Sequence, residues 1–284
     1  MDSIMNDLPC RERTFSIPFV RAFEEHYTHR IRFLRHFLER LGRDHTLAMW
    51  RDVFQDYDSK LLMRILETGW EETLENQAEE MDERITAFVA TQFPVPVEGI
   101  SAKEAREVID CMPPFKQIRE RFPTLDVRRE ITAYEALHLF SDGLALLVEE
   151  MIERYGKEGE LIVYDAMLEY LSARGIRAVE VEEFMARRMA QYSDQSEGEK
   201  AWLKAELVKG TDSEVITQVT ECDFARYYRE NHPQVGYLLH CSMDNPRYHL
   251  INNRIRLQRT TTLMEGGTEC DFRVYALGEA LVSE

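Results

Sequence analysis

The sequence predicts an α+β fold, with a mainly helical N-terminal two thirds and a C-terminal antiparallel β-sheet that includes a hairpin. Apolar residues recur at helical spacing through most of the chain before Tyr192. Alternating and β-branched runs are concentrated after Gly210. The 284 residues are 44% hydrophobic and 31% charged, a composition typical of a packed globular protein that needs no covalent staples.

The first helical region runs from about Phe19 to Phe93. The segment Phe93–Gly99 contains two prolines and cannot continue a helix, because proline lacks the backbone N–H and biases the preceding residue toward extended geometry. We therefore predict a helical module over residues 1–98 and an α+β domain over residues 99–284. The apolar face of the first region includes Phe33, Leu34, Phe37, Leu38 and Leu41.

Two further patterns organise the helical part. Ser101 and Glu104 have the spacing of a capping box, which predicts a helix that begins after Ser101. Leu38–Asp44 and Ile152–Glu158 form a weak repeat, each with a central glycine typical of a helix break. Either a duplicated helical hairpin or a common helix-end pattern explains this repeat.

The C-terminal third changes character. Glu214–Cys222 is β-branched and predicts a strand, Asp223–Glu230 a short helix, and Tyr237–Ser242 another short strand. Between Arg254 and Tyr275, two alternating runs flank Gly266–Gly267. This pair can supply positive φ at both central positions of a two-residue hairpin turn.

Such a turn sets the cross-strand register. It pairs Leu263 with Cys270, Thr261 with Phe272, and Arg259 with Val274. The core-facing side then carries Ile255, Leu257, Arg259, Thr261, Leu263, Cys270, Phe272 and Val274. Because an unpaired buried guanidinium is costly, Arg259 needs a carboxylate from the protein or from a ligand. Ion-pair networks within proteins are common enough that the residues alone favour an internal acid.

Charge and cysteine content exclude several classes of protein. With 35 basic and 52 acidic residues the net charge is −17, which opposes binding to nucleic acid or anionic lipid. No apolar run is long enough for a membrane span or a secretory signal, so we expect a cytoplasmic protein without nucleic acid or membrane partners. The odd number of widely spaced cysteines indicates reduced thiols: Cys10, Cys111, Cys222, Cys241 and Cys270.

Thiol chemistry is the first candidate activity, since three cysteines lie near acidic residues and His240 in the C-terminal part. A cysteine becomes nucleophilic when a base or a positive charge stabilises its thiolate. On a regular strand His240 and Cys241 point to opposite faces, so the base for Cys241 must come from another segment. An inert buried thiol is the alternative. The cysteine spacings lack metal-binding elements, and Gly266–Gly267 does not precede a helix, so we expect no metal and no cofactor.

An ordered set of residues distinguishes the C-terminal part. It comprises Cys222, Phe224, Ala225, Tyr227, Leu238–Asp244, Asn253, Ile255, Leu257, Arg259, Thr260, Thr262, Gly266 and Cys270–Arg273. In order and approximate spacing over residues 213–275, this set resembles the L-2-amino-thiazoline-4-carboxylic acid hydrolase family. Where the family pattern pairs cysteines and aspartates, this chain has His240 before Cys241 and Met243 before Asp244. The identity of the substrate therefore stays open.

The resemblance implies a hydrolase that opens a small heterocyclic carboxylic acid, a cyclic amidine or a thiazoline-like ring, by cysteine-assisted chemistry. A thiolate or an activated water adds to the ring carbon between nitrogen and sulfur, and a carboxylate moves protons. The candidate catalytic residues are Cys241, Cys270, Asp244, Asp271 and His240. The candidate substrate-binding residues are Arg259, Thr261 and Arg273, the last if the hairpin is turned over.

Two other functions stay open. A non-catalytic small-molecule-binding or sensor protein would use the same pocket, whereas a purely structural helical partner predicts no pocket near Cys270. For the hydrolase and for the binding or sensor protein, the expected partner is a small molecule. The helical module over residues 1–98 is the candidate surface for homo-oligomer formation.

Overall fold

The computed structural model describes residues 14–15, 19–54, 74–109, 131–173, 175–193 and 202–278. As predicted, the fold is α+β, and its four-stranded antiparallel sheet lies in the C-terminal region. The chain forms two compact units. The helical unit takes in Phe15–Ile131 and Glu135–Ala166, and the sheet unit takes in Thr14, Thr132–Tyr134 and the chain from Met167 onward, each as far as it is described. The domain boundary near residue 98 stays a prediction.

The first part of the chain is helical. Its helices are α1 (Phe19–Leu41), α2 (residues 43–54), α3 (Leu74–Gln92), α4 (Ala102–Ile109) and α5 (Ala133–Ala173). Short strands β1 (Thr14–Phe15) and β2 (Ile131–Thr132) pair with each other. The predicted apolar face of α1 is confirmed, since Phe33, Leu34, Phe37 and Leu38 are fully buried. No helix in the described ranges is long and apolar enough to cross a membrane.

Two glycines interrupt these helices where the repeat predicted helix breaks. Gly42 (φ 77°) separates α1 from α2, and Gly156 (φ 54°) interrupts α5. Both adopt a left-handed conformation that glycine tolerates and most residues do not. The helical hairpin of α1 and α2 and the hairpin within α5 are joined by two ion pairs, and each hairpin supplies one arginine and one aspartate. The guanidinium of Arg40 lies 2.9 Å from the carboxylate of Asp165, and that of Arg154 lies 2.7 Å from the carboxylate of Asp52.

The linker and the capping box also agree with their predictions. Phe93–Gly99 is not helical. At the start of α4, the backbone N–H of Ser101 donates to Glu104 Oε2 at 2.9 Å, and the N–H of Glu104 donates to Ser101 Oγ at 3.3 Å. These reciprocal bonds satisfy two N–H groups that the first turn of a helix leaves without partners. The Pro113–Pro114 pair lies outside the described residues.

The sheet unit contains α6 (Val181–Ser193) and a sheet in which every neighbouring pair of strands is antiparallel. The strands are β3 (Leu203–Gly210), β4 (Glu214–Cys222), β5 (Ile255–Gln258) and β6 (Cys270–Ala276), in the order β3-β4-β6-β5. Between β4 and β5 lie α7 (Asp223–Asn231), α8 (Gly236–Leu239), a 3-10 turn (Cys241–Met243) and α9 (Asp244–Ile251).

The core of the sheet unit lies on one face of the sheet. Val215, Ile255 and Val274 are fully buried there, and they pack with Met185 of α6 and Tyr248 of α9. The predicted core-facing side of the hairpin is therefore confirmed. Full burial of an aliphatic side chain stabilises a fold by about 1.5–3 kcal/mol, so this cluster fixes which face of the sheet receives the helices.

The predicted hairpin turn is wrong, although β5 and β6 pair as expected. Leu257 lies opposite Val274 in place of Arg259, a shift of two residues, and the predicted pairs Thr261–Phe272 and Leu263–Cys270 lie beyond the end of the ladder. An even shift keeps every side chain on its predicted face. Residues 259–269 connect the strands through a 3-10 turn (Leu263–Glu265), and of the two glycines only Gly266 (φ 93°) has a positive φ.

Side chains supply the reason for this longer connection. Thr262 Oγ1 accepts the N–H of Glu265 at 3.0 Å, which begins the 3-10 turn. Asp271 Oδ1 accepts the backbone N–H groups of Thr260 at 2.8 Å and Thr261 at 2.7 Å. These backbone groups therefore find partners outside a strand ladder, and pairing stops at Gln258.

The predicted strand Tyr237–Ser242 is also wrong, since this segment forms α8 and the following 3-10 turn. A short apolar run does not distinguish a strand from a buried helical turn. At Gly236 a Cβ would collide with the side chain of Tyr228, so the close approach of α8 to α7 requires glycine. The predicted strand Glu214–Cys222 and helix Asp223–Glu230 are confirmed as β4 and α7, which ends one residue later.

Candidate active site

A cavity of about 440 Å³ opens where β4 ends and α7 begins. Its volume lies within the roughly 300–1,000 Å³ usual for small-molecule sites. Arg226 and Arg229 are one helical turn apart, which brings their side chains to one side of α7, and Cys222 is the extended N-cap residue just before this helix. The lining residues are Thr220, Glu221, Cys222, Asp223, Ala225, Arg226, Arg229, Glu230 and Leu263.

The cavity wall carries charges of both signs. Arg226 Nη2 lies 3.0 Å from the buried carboxylate of Asp223, and the guanidinium of Arg226 lies 4.4 Å from the ring centre of Tyr134. Arg229 is exposed and donates through Nη1 to the backbone oxygen of Leu263 at 3.3 Å. A guanidinium has five N–H donors, so this bond leaves Arg229 able to bind an anion.

Cys222 brings a thiol to the same cavity at the N-terminal end of α7. Burial raises its pKa to about 12, against the opposing effect of the backbone N–H groups of Ala225 and Phe224. The thiol is therefore protonated at neutral pH, and its thiolate forms only when a further positive charge or a base acts on it. Cys222, Cys241 and Cys270 are all free thiols, whereas Cys10 and Cys111 lie outside the described residues.

Arg259 is paired with an internal acid, as the residues alone favoured. Its Nη1 lies 2.7 Å from Asp244 Oδ2, and its Nη2 donates to the backbone oxygen of Cys241 at 3.1 Å. The guanidinium also lies 5.0 Å from the ring centre of Phe272. The side chain of Arg259 is 8% exposed and that of Asp244 21%, so this ion pair is largely removed from water.

The thiols of Cys241 and Cys270 are buried beside this ion pair. Burial raises the pKa of Cys241, Arg259 lowers it, and Asp244, Cys222 and Cys270 each raise it further. Burial also raises the pKa of Cys270, whose Sγ accepts the N–H of Leu263 at 3.1 Å. Leu263 lines the cavity, so Cys270 lies directly behind one of the cavity residues.

His240 lies in an aromatic stack. Its ring centre is 4.0 Å from that of Phe224, which in turn lies 5.1 Å from that of Trp202. Burial lowers the pKa of His240, and the nearby charge of Asp244 opposes this shift only in part. The imidazole is therefore neutral at pH 7, in which form it can accept a proton as well as donate one.

The other predicted site residues lie away from the cavity. Thr261 and Asp271 contact each other at the connection between β5 and β6, and Arg273 lies on the outer face of the sheet. Asp271 accepts the N–H of Thr261, and its pKa is lowered, because the hydrogen bonds from Thr260 and Thr261 outweigh the effect of burial. Arg273 is exposed and donates through Nε to Glu214 Oε1 at 2.6 Å. None of the eight predicted site residues is among the nine that line the cavity.

Sequence reasoning missed the charged residues of α7. Arg226, Arg229 and Glu230 belong to a segment whose helix was predicted, and the helical spacing of Arg229 and Glu230 from Arg226 was the available signal. Helical spacing places residues on one side of a helix but does not show whether that side faces a cavity. In the part of the chain that the structure describes, no group of three or more His, Cys, Asp and Glu side chains could hold a metal ion.

The cavity and the Arg259–Asp244 pair both lie in a part of the chain that matches a known sequence family. Residues 135–274 match the family model of L-2-amino-thiazoline-4-carboxylic acid hydrolase. The C-terminal region of the chain is similar to this family, as its ordered set of residues predicted. At family level the match supports a hydrolase of a thiazoline carboxylic acid, and the matched range includes every residue that lines the cavity. No curated protein and no solved structure gives a significant match to this chain.

Proposed function

We propose that this protein hydrolyses a small cyclic amidine or thiazoline-like carboxylic acid in the cavity beside Cys222. The observation that carries the proposal is the composition of the cavity wall, which combines a thiol, two guanidinium groups and carboxylates within the family region. A cyclic amidine carboxylic acid is a zwitterion when its ring is protonated. A wall with charges of both signs is complementary to such a molecule.

Arg229 is the group that would bind the carboxylate of the substrate. It is exposed, lines the cavity and uses one N–H for the oxygen of Leu263, whereas Arg226 is already paired with Asp223. A second pair of parallel N–H groups can then take a carboxylate in bidentate fashion. Glu221 and Glu230 line the same cavity and would face the cationic amidinium.

The reaction can proceed through Cys222 in two balanced steps. The Cys222 sulfur forms a bond to the ring carbon between nitrogen and sulfur, the ring C–S bond breaks, and the released ring sulfur takes the proton of the Cys222 thiol. Water then adds to the same carbon and displaces the Cys222 sulfur, which recovers a proton. For a thiazoline substrate the product is an N-carbamoyl cysteine, and the net reaction consumes one water.

The raised pKa of Cys222 makes this chemistry dependent on the substrate. With a pKa of about 12, very little thiolate exists in the empty cavity at pH 7. A bound amidinium would place a positive charge against the thiol, and a nearby opposite charge favours the ionised form. We therefore propose that the substrate itself activates the thiol, with Glu230 or Glu221 able to carry the thiol proton to the released ring sulfur.

The roles predicted for Cys241, Cys270, Asp244, Asp271 and His240 stay predictions, as do those of Arg259, Thr261 and Arg273. The contacts of Arg259 give its predicted role a specific requirement. Asp244 and the oxygen of Cys241 already occupy its two terminal nitrogens. A substrate carboxylate that binds this largely buried guanidinium would have to compete with Asp244.

The test is turnover of 2-amino-thiazoline-4-carboxylic acid, followed by mass spectrometry of the N-carbamoyl cysteine product. We expect Cys222→Ala to lose at least about 100-fold in kcat while it still binds the compound, and Arg229→Gln to raise KM by about tenfold. Arg187→Gln is the matched control, since Arg187 is an exposed arginine of α6 that pairs with Glu183. Cys241→Ala and Cys270→Ala, measured in parallel, test the predicted nucleophiles.

A non-catalytic binding or sensor protein is the second candidate. The observation in its favour is that the pKa values of Cys222, Cys241 and Cys270 are all raised, because buried thiols with raised pKa values are usually inert. A wild-type protein that binds thiazolines, cyclic amidines or hydantoin-like compounds without converting any of them would establish this function and refute the hydrolase.

A further inference from the structure

Tyr134 contacts the cavity wall from behind. It is the second residue of α5 and lies immediately before the matched family region. Its hydroxyl donates to Glu230 Oε2 and accepts Nδ2 of Asn231 at 3.1 Å. Its ring lies beneath the guanidinium of Arg226, 4.4 Å from ring centre to Cζ. A single side chain thus contacts two charged residues of the cavity that have opposite signs.

The chemistry of the hydroxyl fits a fixed donor. Burial raises the pKa of Tyr134, and the hydrogen bond to Glu230 raises it further, against the effect of Asn231. The phenol is therefore protonated at every pH at which the protein would work. A protonated phenol donates its hydrogen to the carboxylate, and a hydrogen bond to an ionised partner is about twice as strong as a neutral one.

We propose that Tyr134 is a positioning residue of the cavity, whose hydroxyl fixes the carboxylate of Glu230 and whose ring fixes the guanidinium of Arg226. This inference rests on the proposed function, in which Glu230 faces the amidinium of the substrate. Tyr134 itself does not line the cavity. It acts by holding the carboxylate of Glu230 in the orientation that binds a cationic ligand.

The expected effect is on binding. Without the hydroxyl, the side chain of Glu230 regains rotamer freedom that the substrate must then restrict. Immobilising such a side chain lowers affinity by about two- to tenfold. Tyr134→Phe removes only the hydroxyl and keeps the ring beneath Arg226, so we expect KM to rise by this factor with kcat within about twofold of wild type.

The experiment is a double-mutant cycle with Tyr134→Phe, Glu230→Ala and the combined variant. The dissociation constant of 2-amino-thiazoline-4-carboxylic acid is measured by titration calorimetry, alongside KM and kcat. Tyr134→Phe should weaken binding in the wild-type background and change nothing further in the Glu230→Ala background. Tyr275→Phe is the matched control, since Tyr275 lies on β6 beneath Arg273 and not at the cavity.

Two results would overturn the positioning role. One is an unchanged dissociation constant in Tyr134→Phe. The other is a loss of kcat at constant KM, which is what a smaller folded fraction would produce. Wild type that binds the compound without converting it refutes the hydrolase proposal alone, because the cycle in dissociation constants still decides the role of Tyr134. NMR of ¹³Cζ-labelled tyrosine adds an independent readout: Glu230→Ala should lower the pKa of Tyr134, and an unchanged pKa would contradict the contact.

Discussion

Removal of Asp244 should expose how much the fold depends on the Arg259 ion pair. In Asp244→Ala the guanidinium of Arg259, which is 8% exposed, keeps the oxygen of Cys241 at 3.1 Å and its contacts with Tyr237 and Phe272 but loses its paired carboxylate. Loss of one partner from a fully buried pair costs about 3–5 kcal/mol. Because the side chain of Asp244 is 21% exposed, water can reach part of the site, and we expect the lower end, about 3 kcal/mol.

The assay is urea unfolding of Asp244→Ala, Arg259→Met and the double variant. The double variant should be destabilised by less than the sum of the two single changes, since it leaves no unpaired buried charge. A cost below about 1 kcal/mol for Asp244→Ala would refute the reasoning, because that is the value of an exposed ion pair. If Arg259→Met instead raised KM with full stability, the predicted substrate-binding role of Arg259 would be supported.

Three further predictions concern single residues. Because burial raises the pKa of Cys222 to about 12, its alkylation by iodoacetamide in Cys241→Ala/Cys270→Ala protein should keep accelerating above pH 9; a plateau there would contradict the burial. Because the pKa of Asp271 is lowered in the folded protein, its carboxylate stabilises the fold at pH values above the ordinary carboxyl pKa, and this stabilisation is lost as the pH falls through the pKa of the folded state. In urea unfolding, the stability of Asp271→Asn should therefore fall less steeply from pH 5 to pH 2 than that of wild type. Gly266→Ala should cost about 1–2 kcal/mol through its left-handed backbone, whereas equal melting temperatures would refute the connection described for β5 and β6.

Local sequence predicted those elements whose pattern and packing agree. The alternation of Glu214–Cys222 gives a strand with one buried face, and the Ser101 capping box begins α4. Tyr237–Ser242 was misassigned because a short apolar run suits either a strand or a buried helical turn, and the contact of α8 with α7 decides between them. The turn at Gly266–Gly267 failed for a related reason: Asp271 binds amides of the connection, an interaction between segments that the turn residues do not reveal.

The candidate site likewise has one part that the sequence predicted and one part that it did not. That Arg259 requires a carboxylate follows from the cost of burying a charge, and Asp244 provides it. The cavity could not be located from sequence, because it depends on how the start of α7 meets Leu263 in a distant connection. The residue types of Cys222 and Arg229 are evident in the sequence, but their place in one cavity depends on this contact between segments.

The location of a bound substrate tests the central claim most directly. Crystals of Cys222→Ala protein, soaked with 2-amino-thiazoline-4-carboxylic acid, should show the ring carbon facing position 222 and the carboxylate on Arg229. Electron density for the compound at Arg259, in place of Asp244, would contradict this account and return the chemistry to Cys241 and Cys270.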